Sequence, residues 1–216
     1  MIAIVTKKKT KEWQRIVQPY LSSHRNNTHA FSPERSALLV IDMQRYFLES
    51  DCHAFIPAAT EIVGNVTSII EAYRCRDLPV IFTRHANSRG TSAGSMERWW
   101  RDVLYEDDRL SEIAPALAPG PGELVLRKSR YSAFVGTDLE SMLRSLGIER
   151  ILITGVMTHL CCETTARDAF MRDFDVFIVI DGTASKTEDL HVAALMTLAD
   201  GFAIPVTTEE VLRWMR

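Results

Sequence analysis

The chain reads as short apolar runs alternating with segments of helical period. Six runs look like strands: residues 37–42, 78–83, 124–126, 151–154, 176–180 and 202–206. Most are rich in β-branched and aliphatic residues and are bounded by polar or turn-forming ones, as buried strands are. Between them apolar residues recur three and four apart. Residues 57–76 open on Pro57 and place Ile62, Val63, Val66, Ile69, Ile70 and Tyr73 on a helical period. Helices are also expected at 136–146, stopped by Gly147, at 160–172, at 187–200 with Leu190, Ala194 and Leu198 on one face, and at 208–215. A shorter one, 98–104, carries Trp99 and Trp100. Strands alternating with helices predict an α/β fold: a Rossmann-like, three-layer α/β/α arrangement around a six-stranded parallel sheet with right-handed crossovers.

The N-terminal pattern is weaker. Residues 12–21 form an amphipathic piece, expected to break at Pro19, followed by the polar stretch SSHRNNTH and the turn-like FSPERS. Residues 1–35 therefore read as an arm and 36–216 as one domain. A chain of 216 residues suits a single α/β domain. The 46% hydrophobic content is enough for its core. A net charge of −3 argues against nucleic-acid or membrane-surface partners. The basic cluster Lys7-Lys8-Lys9 reads as a solvated lead-in. No apolar run reaches a membrane span, and no cleavage pattern follows the apolar residues 1–5. Four cysteines without framework spacing suggest a reducing compartment, the cytoplasm.

Candidate chemistry concentrates in 149–172, ERILITGVMTHLCCETTARDAFMR. A strand runs to Gly155, where the chain can turn, and a helix follows. Cys161 and Cys162 then fall in the first helical turn, where unpaired N–H groups and a positive dipole favour a thiolate. Successive helix residues point about 100° apart. Cys162 shares an apolar side with Ala166, Ala169 and Phe170; Cys161 shares a polar one with Thr164, Thr165 and Asp168. Cys162 reads as a small core residue and Cys161 as the reactive one, its thiol pKa lowered. Asp42 and Lys128 stand at or just past the ends of two other predicted strands. A parallel sheet gathers such positions at its carboxyl edge.

Three segments carry a resemblance: LLVIDMQRYF (38–47), LRKSRYSAF (126–134) and GVMTHLCCETTARDAF (155–170). In order and spacing they resemble the isochorismatase-like cysteine hydrolases, over roughly residue 36 to the end. The resemblance implies that family's fold and a catalytic triad of Asp42, Lys128 and Cys161. It also implies a cis peptide before Met157. With it comes a mechanism. The Cys161 thiolate attacks a carbonyl, Asp42 carries the proton to the leaving nitrogen, and Lys128 sets the charge. Backbone N–H groups of Met157 and Cys161 are the expected oxyanion donors. Gln44, Phe47, His85, Arg98, Trp99, Trp100 and Tyr131 are candidates for the substrate pocket, with one tryptophan of the pair facing inward.

The expected activity is hydrolysis of a C–N bond in a small amide, ureido or carbamoyl compound. The alternative is isochorismatase itself, which cleaves a vinyl ether by protonation and needs no thiol. Cys161 stands where those enzymes carry glycine, and Met157 where they carry tyrosine; both departures favour the amide. Asp51-x-His53 resembles the metal-ligand pair of related nicotinamidases, but it follows Asp42 too closely, so no catalytic metal and no cofactor are expected. The expected partners are a small-molecule substrate and further copies of the chain, as a dimer or tetramer.

Overall fold

Side chains along β1 (Ser36–Ile41) alternate between two cores, because successive strand residues point to opposite faces. Ala37, Leu39 and Ile41 enter one core; Leu38 and Val40 enter the other. The same alternation recurs in β4 (Arg150–Val156) and β5 (Asp175–Ala184). There Ile151, Ile153, Val176, Ile178 and Ile180 face the first core, and Leu152, Phe177 and Val179 the second. Strands buried on both faces need apolar residues at nearly every position, which is why their sequences read as continuous runs.

The computed structural model describes residues 5–21 and 31–216. The apolar lead at 1–4 and the polar stretch 22–29 lie outside the described residues. With β2 (Val80–His85), β3 (Leu124–Lys128) and β6 (Ile204–Val206), the strands form one six-stranded parallel sheet in the order β3-β2-β1-β4-β5-β6. Helices cover both faces. The first core takes side chains from α1 (Lys7–Leu21), α6 (Leu139–Ser145), α7 (Glu163–Phe170) and α8 (Glu188–Gly201). The second takes them from α3 (Pro57–Glu61), α4 (Val63–Arg74) and α9 (Thr208–Trp214), and from Phe47 of the short α2 (Arg45–Leu48). A further short helix, α5 (Ser95–Trp100), lies beyond the end of β2. The α/β/α architecture expected from the pattern is the one observed.

Several local expectations change. Pro19 does not break the first helix: α1 continues to Leu21 and buries Trp13, Val17 and Leu21, each four residues apart. The helix expected at 57–76 is two, α3 and α4, with Ile62 between them. Asp181-Gly182 does not end β5. The strand runs on to Ala184, and its register against β4 shifts between Ile153 and Gly155. Gly155 itself is not a turn but a strand residue. A Cβ there would lie 2.0 Å from the Ile41 carbonyl oxygen, so only glycine lets β1 and β4 approach this closely. That contact is at the switch point, where the chain direction of strand order reverses and an open α/β sheet leaves a crevice at its carboxyl edge.

Candidate active site

Asp42 follows β1 directly, with a backbone φ of 49°. It is fully buried and held by its neighbour strand: Thr83 Oγ1 donates to Oδ1 at 2.7 Å, and the Asp42 N–H donates to the same hydroxyl at 3.1 Å. Lys128 ends β3 and is also buried. Its ammonium has three protons and three partners: Asp42 Oδ2 at 2.7 Å, the Arg130 carbonyl at 3.0 Å and Cys161 Sγ at 3.3 Å. Strands β1 and β3 thus deliver a carboxylate and an ammonium beside the sulfur that follows β4.

Cys161 is not in the first turn of an α-helix. Residues Thr158–Cys162 form a π-helical turn, and α7 begins only at Glu163. The turn closes on the Met157 carbonyl, which accepts from Leu160 N–H at 3.0 Å and Cys162 N–H at 3.2 Å. The Val156–Met157 peptide that leads into it is cis. The two cysteines separate as their helix faces suggested: Cys161 reaches the cavity, whereas Cys162 packs wholly inside the core. Phe170, placed with Cys162 by the sequence reading, is instead 47% exposed.

The electrostatics correct one expectation. Burial pushes the Cys161 thiol up to about 12; Lys128 pulls it down, and the nearby Asp42 carboxylate pushes it up again. At neutral pH the Cys161 thiol is therefore neutral, beside the paired Lys128 and Asp42 side chains. Burial by itself would lower the Lys128 ammonium, but Asp42 and Cys161 together outweigh it and hold it above its ordinary value.

Cys161 opens onto a cavity of about 190 Å³. Phe47, His85, Trp100 and Tyr131 line it, as anticipated, and Trp100 Nε1 donates to the Tyr131 hydroxyl at 2.8 Å. Gln44, Arg98 and Trp99 do not. The Gln44 amide is spent on backbone groups of His85 and Ser111, at 2.8–3.0 Å. Arg98 is exposed on α5 and donates to Ser95 Oγ. Trp99, one helix step from Trp100, points outward and is 78% exposed.

Sequence reading missed Tyr46, His53, Asn87, Met96, Asp102, His159, Leu160 and Lys186, which also line the cavity, as does the Met157 side chain. Tyr46 neighbours Phe47, and His159 and Leu160 lie in the Cys161 turn itself, so these three carried a signal; Met96 is on α5, and His53, Asn87, Asp102 and Lys186 come from loops with no local pattern. Asp102 accepts from Tyr46 Oη and pairs with His53 Nε2 at 2.8 Å, joining three segments at the cavity wall. Asp51 is exposed, and His53 is committed to that pair. Among the described residues no three His, Cys, Asp or Glu side chains gather within reach of one ion. Nor, among them, is any helix long and apolar enough to cross a membrane.

Residues 36–210 match the isochorismatase domain. The chain belongs to the isochorismatase family. It is 41% identical over 182 residues to nicotinamidase 3 of Arabidopsis thaliana, covering 82% of this chain and 87% of that one. It is 34% identical over 187 residues to enterobactin synthase component B of Escherichia coli K12, covering 85% of this chain but 64% of that longer relative. Among solved structures, a cysteine hydrolase from Pseudomonas syringae pv. phaseolicola superposes with a TM-score of 0.84 at 30% identity. That match covers 87% of this chain and 95% of the other. The protein is thus an isochorismatase-like hydrolase.

Proposed function

We propose that this hydrolase cleaves the C–N bond of a small amide, ureido or carbamoyl compound through a thioester on Cys161. One observation carries the reading: the Lys128 ammonium bridges the Asp42 carboxylate and the Cys161 sulfur on the cavity side of the sheet. A protonation mechanism needs no sulfur in that bridge; acyl transfer needs all three groups.

As substrate binds, Sγ attacks the carbonyl carbon while Asp42 takes the thiol proton. A thiol with a raised pKa suits this order, since the proton leaves only when the carbon–sulfur bond forms. The oxyanion is stabilised by the N–H groups of Met157 and Cys161. Protonated Asp42 then hands its proton to the nitrogen, the amine departs, and the thioester remains. Water attacks next, Asp42 accepts its proton, and that proton returns to sulfur as the acid leaves. Lys128 stays charged throughout and pairs with the Asp42 side chain between steps. Burial holds His85 at about 4, so its ring is neutral at neutral pH and suits an uncharged substrate group. Lys186, exposed at the rim, offers a site for an anionic tail.

The test is a panel of nicotinamide, ureido acids, N-carbamoyl amino acids and isochorismate, assayed with wild type and Cys161→Ala. An amide or carbamoyl compound should be turned over, and Cys161→Ala should lose at least about a thousandfold in kcat. Cleavage of isochorismate alone, undiminished in Cys161→Ala, would replace this reading with the vinyl-ether one.

A further inference from the structure

The isochorismatase domain match begins at residue 36, yet the helix before it packs on α8, which in turn contacts the turn that carries Cys161. Trp13 of α1 is fully buried. Its Nε1 donates to Glu188 Oε1 at 2.9 Å, and Lys9 Nζ binds the same oxygen at 2.7 Å. The Trp13 ring meets the His191 imidazole edge-on, centroids 4.6 Å apart. Glu188 and His191 both lie on α8. On its other side His191 is joined through Nδ1 to Thr158 Oγ1 at 2.8 Å, and both residues are buried. Thr158 is the first residue of the π-helical turn. The next residue, His159, is tied through Nδ1 to Ser185 Oγ at 2.9 Å, just ahead of α8.

A π-helical turn has weaker hydrogen-bond geometry than an α-helix and is rarely stable unaided. Here the opening two side chains of the turn are both fastened to the α8 side, and α8 is braced by α1. The mechanism uses none of these residues. Burial keeps His191 near 4, hence neutral, so its ring nitrogen and the Thr158 hydroxyl can share one proton without a charge between them.

We propose that α1 is a positioning element of the site: Trp13 fixes His191, His191 fixes Thr158, and Thr158 fixes the turn that aims the Cys161 sulfur at the substrate carbonyl. This rests on Cys161 being the nucleophile. Shifting a reacting atom by about 1 Å can lower a rate on the order of a hundredfold. The chain of contacts therefore acts on kcat, while the cavity and KM stay as they are.

The experiment compares kcat, KM and melting temperature for Thr158→Val, His191→Leu, His191→Asn, Trp13→Ala and the double variant Thr158→Val with His191→Leu, each on folded protein, with Cys161→Ala alongside. Valine matches threonine in shape, so Thr158→Val removes the hydroxyl with little repacking. Thr158→Val and His191→Leu should each lose about tenfold to a hundredfold in kcat with KM within about twofold. The double variant should be no worse than either single one, because both break one link. His191→Asn, which keeps a polar atom facing Thr158, should recover most of the loss, and Trp13→Ala should lower kcat in the same sense. Wild-type kcat in Thr158→Val, with only a lowered melting temperature, would overturn the proposal while leaving the thioester reading intact. Full activity in Cys161→Ala would remove that reading itself.

Discussion

Gln44 grips both main-chain polar groups of His85. Its Oε1 accepts from the His85 N–H at 2.8 Å, and its Nε2 donates to the His85 carbonyl at 3.0 Å. The second amide proton goes to the Ser111 carbonyl at 2.8 Å. A residue expected to touch substrate instead fixes the backbone of one that lines the cavity. Gln44→Leu would strip three hydrogen bonds, one of them fully buried, and leave their main-chain partners unpaired. It should lower stability by about 3 kcal/mol in urea unfolding.

Among the described residues, His85 Nδ1, buried in the cavity wall, has no hydrogen-bond partner, which suits a group that binds substrate. His85→Leu should raise KM about tenfold with little change in melting temperature, and His85→Gln should raise it less. Steady-state kinetics on the best substrate of the panel checks this; an unchanged KM in His85→Leu would remove His85 from substrate binding.

The Asp42–Lys128 pair has no solvent to screen it. Lys128→Met would leave the carboxylate alone in the interior, and about 3–5 kcal/mol of stability should go with it, beside all activity. Replacing both residues by apolar ones should restore much of the stability and none of the turnover. Chemical unfolding of the single and double variants separates the two effects.

Alkylation reads the state of the thiol. With the Cys161 pKa raised to about 12, its thiolate fraction climbs tenfold per pH unit through neutral and alkaline pH. Labelling of Cys161 by iodoacetamide should rise with that slope from pH 7 to 10, and exposed Cys75 should react first at pH 7. Peptide mapping by mass spectrometry measures both. A plateau below pH 8 would mean a thiolate already present in the empty site.

Acid should unfold the protein in a defined window. Burial depresses His85 and His191 from an ordinary 6.5 to about 4. Above pH 7 both are neutral, folded or not, and their contribution is constant. As pH falls below 6.5 the unfolded chain takes up protons that the folded one refuses, so stability falls until about pH 4. The loss should reach up to about 3 kcal/mol for each ring. Glu49, held at about 2 by Arg109 and then Arg45, adds its loss lower still, below its ordinary 4.5. Urea titrations between pH 8 and pH 4 would show the first decline.

What the sequence made legible follows from how local each feature is. Strands β1, β4 and β5 announce themselves because burial on both faces leaves only apolar runs. Asp42, Lys128 and Cys161 follow from strand ends and three short motifs. The role of Gln44 was hidden because its partners lie 41 and 67 residues away. The raised thiol pKa was hidden because a helix-start field is local, whereas the desolvation that overrides it comes from the whole packed interior. The run at 176–180 looked complete because polar Asp181 and Gly182 follow it; here pairing with β4 carries the strand past them.

Lys128 sits at the end of β3, and β3 is the rim of the sheet, with Val125 39% exposed and a single strand neighbour. An outermost strand can detach while the central ones hold, since local opening needs far less free energy than global unfolding. Loss of β3 would withdraw the ammonium from Asp42 and Cys161 and leave the fold nearly whole by circular dichroism. Activity in this protein is therefore a gauge of one edge strand of its sheet, and inactivation should precede unfolding on the way to denaturation.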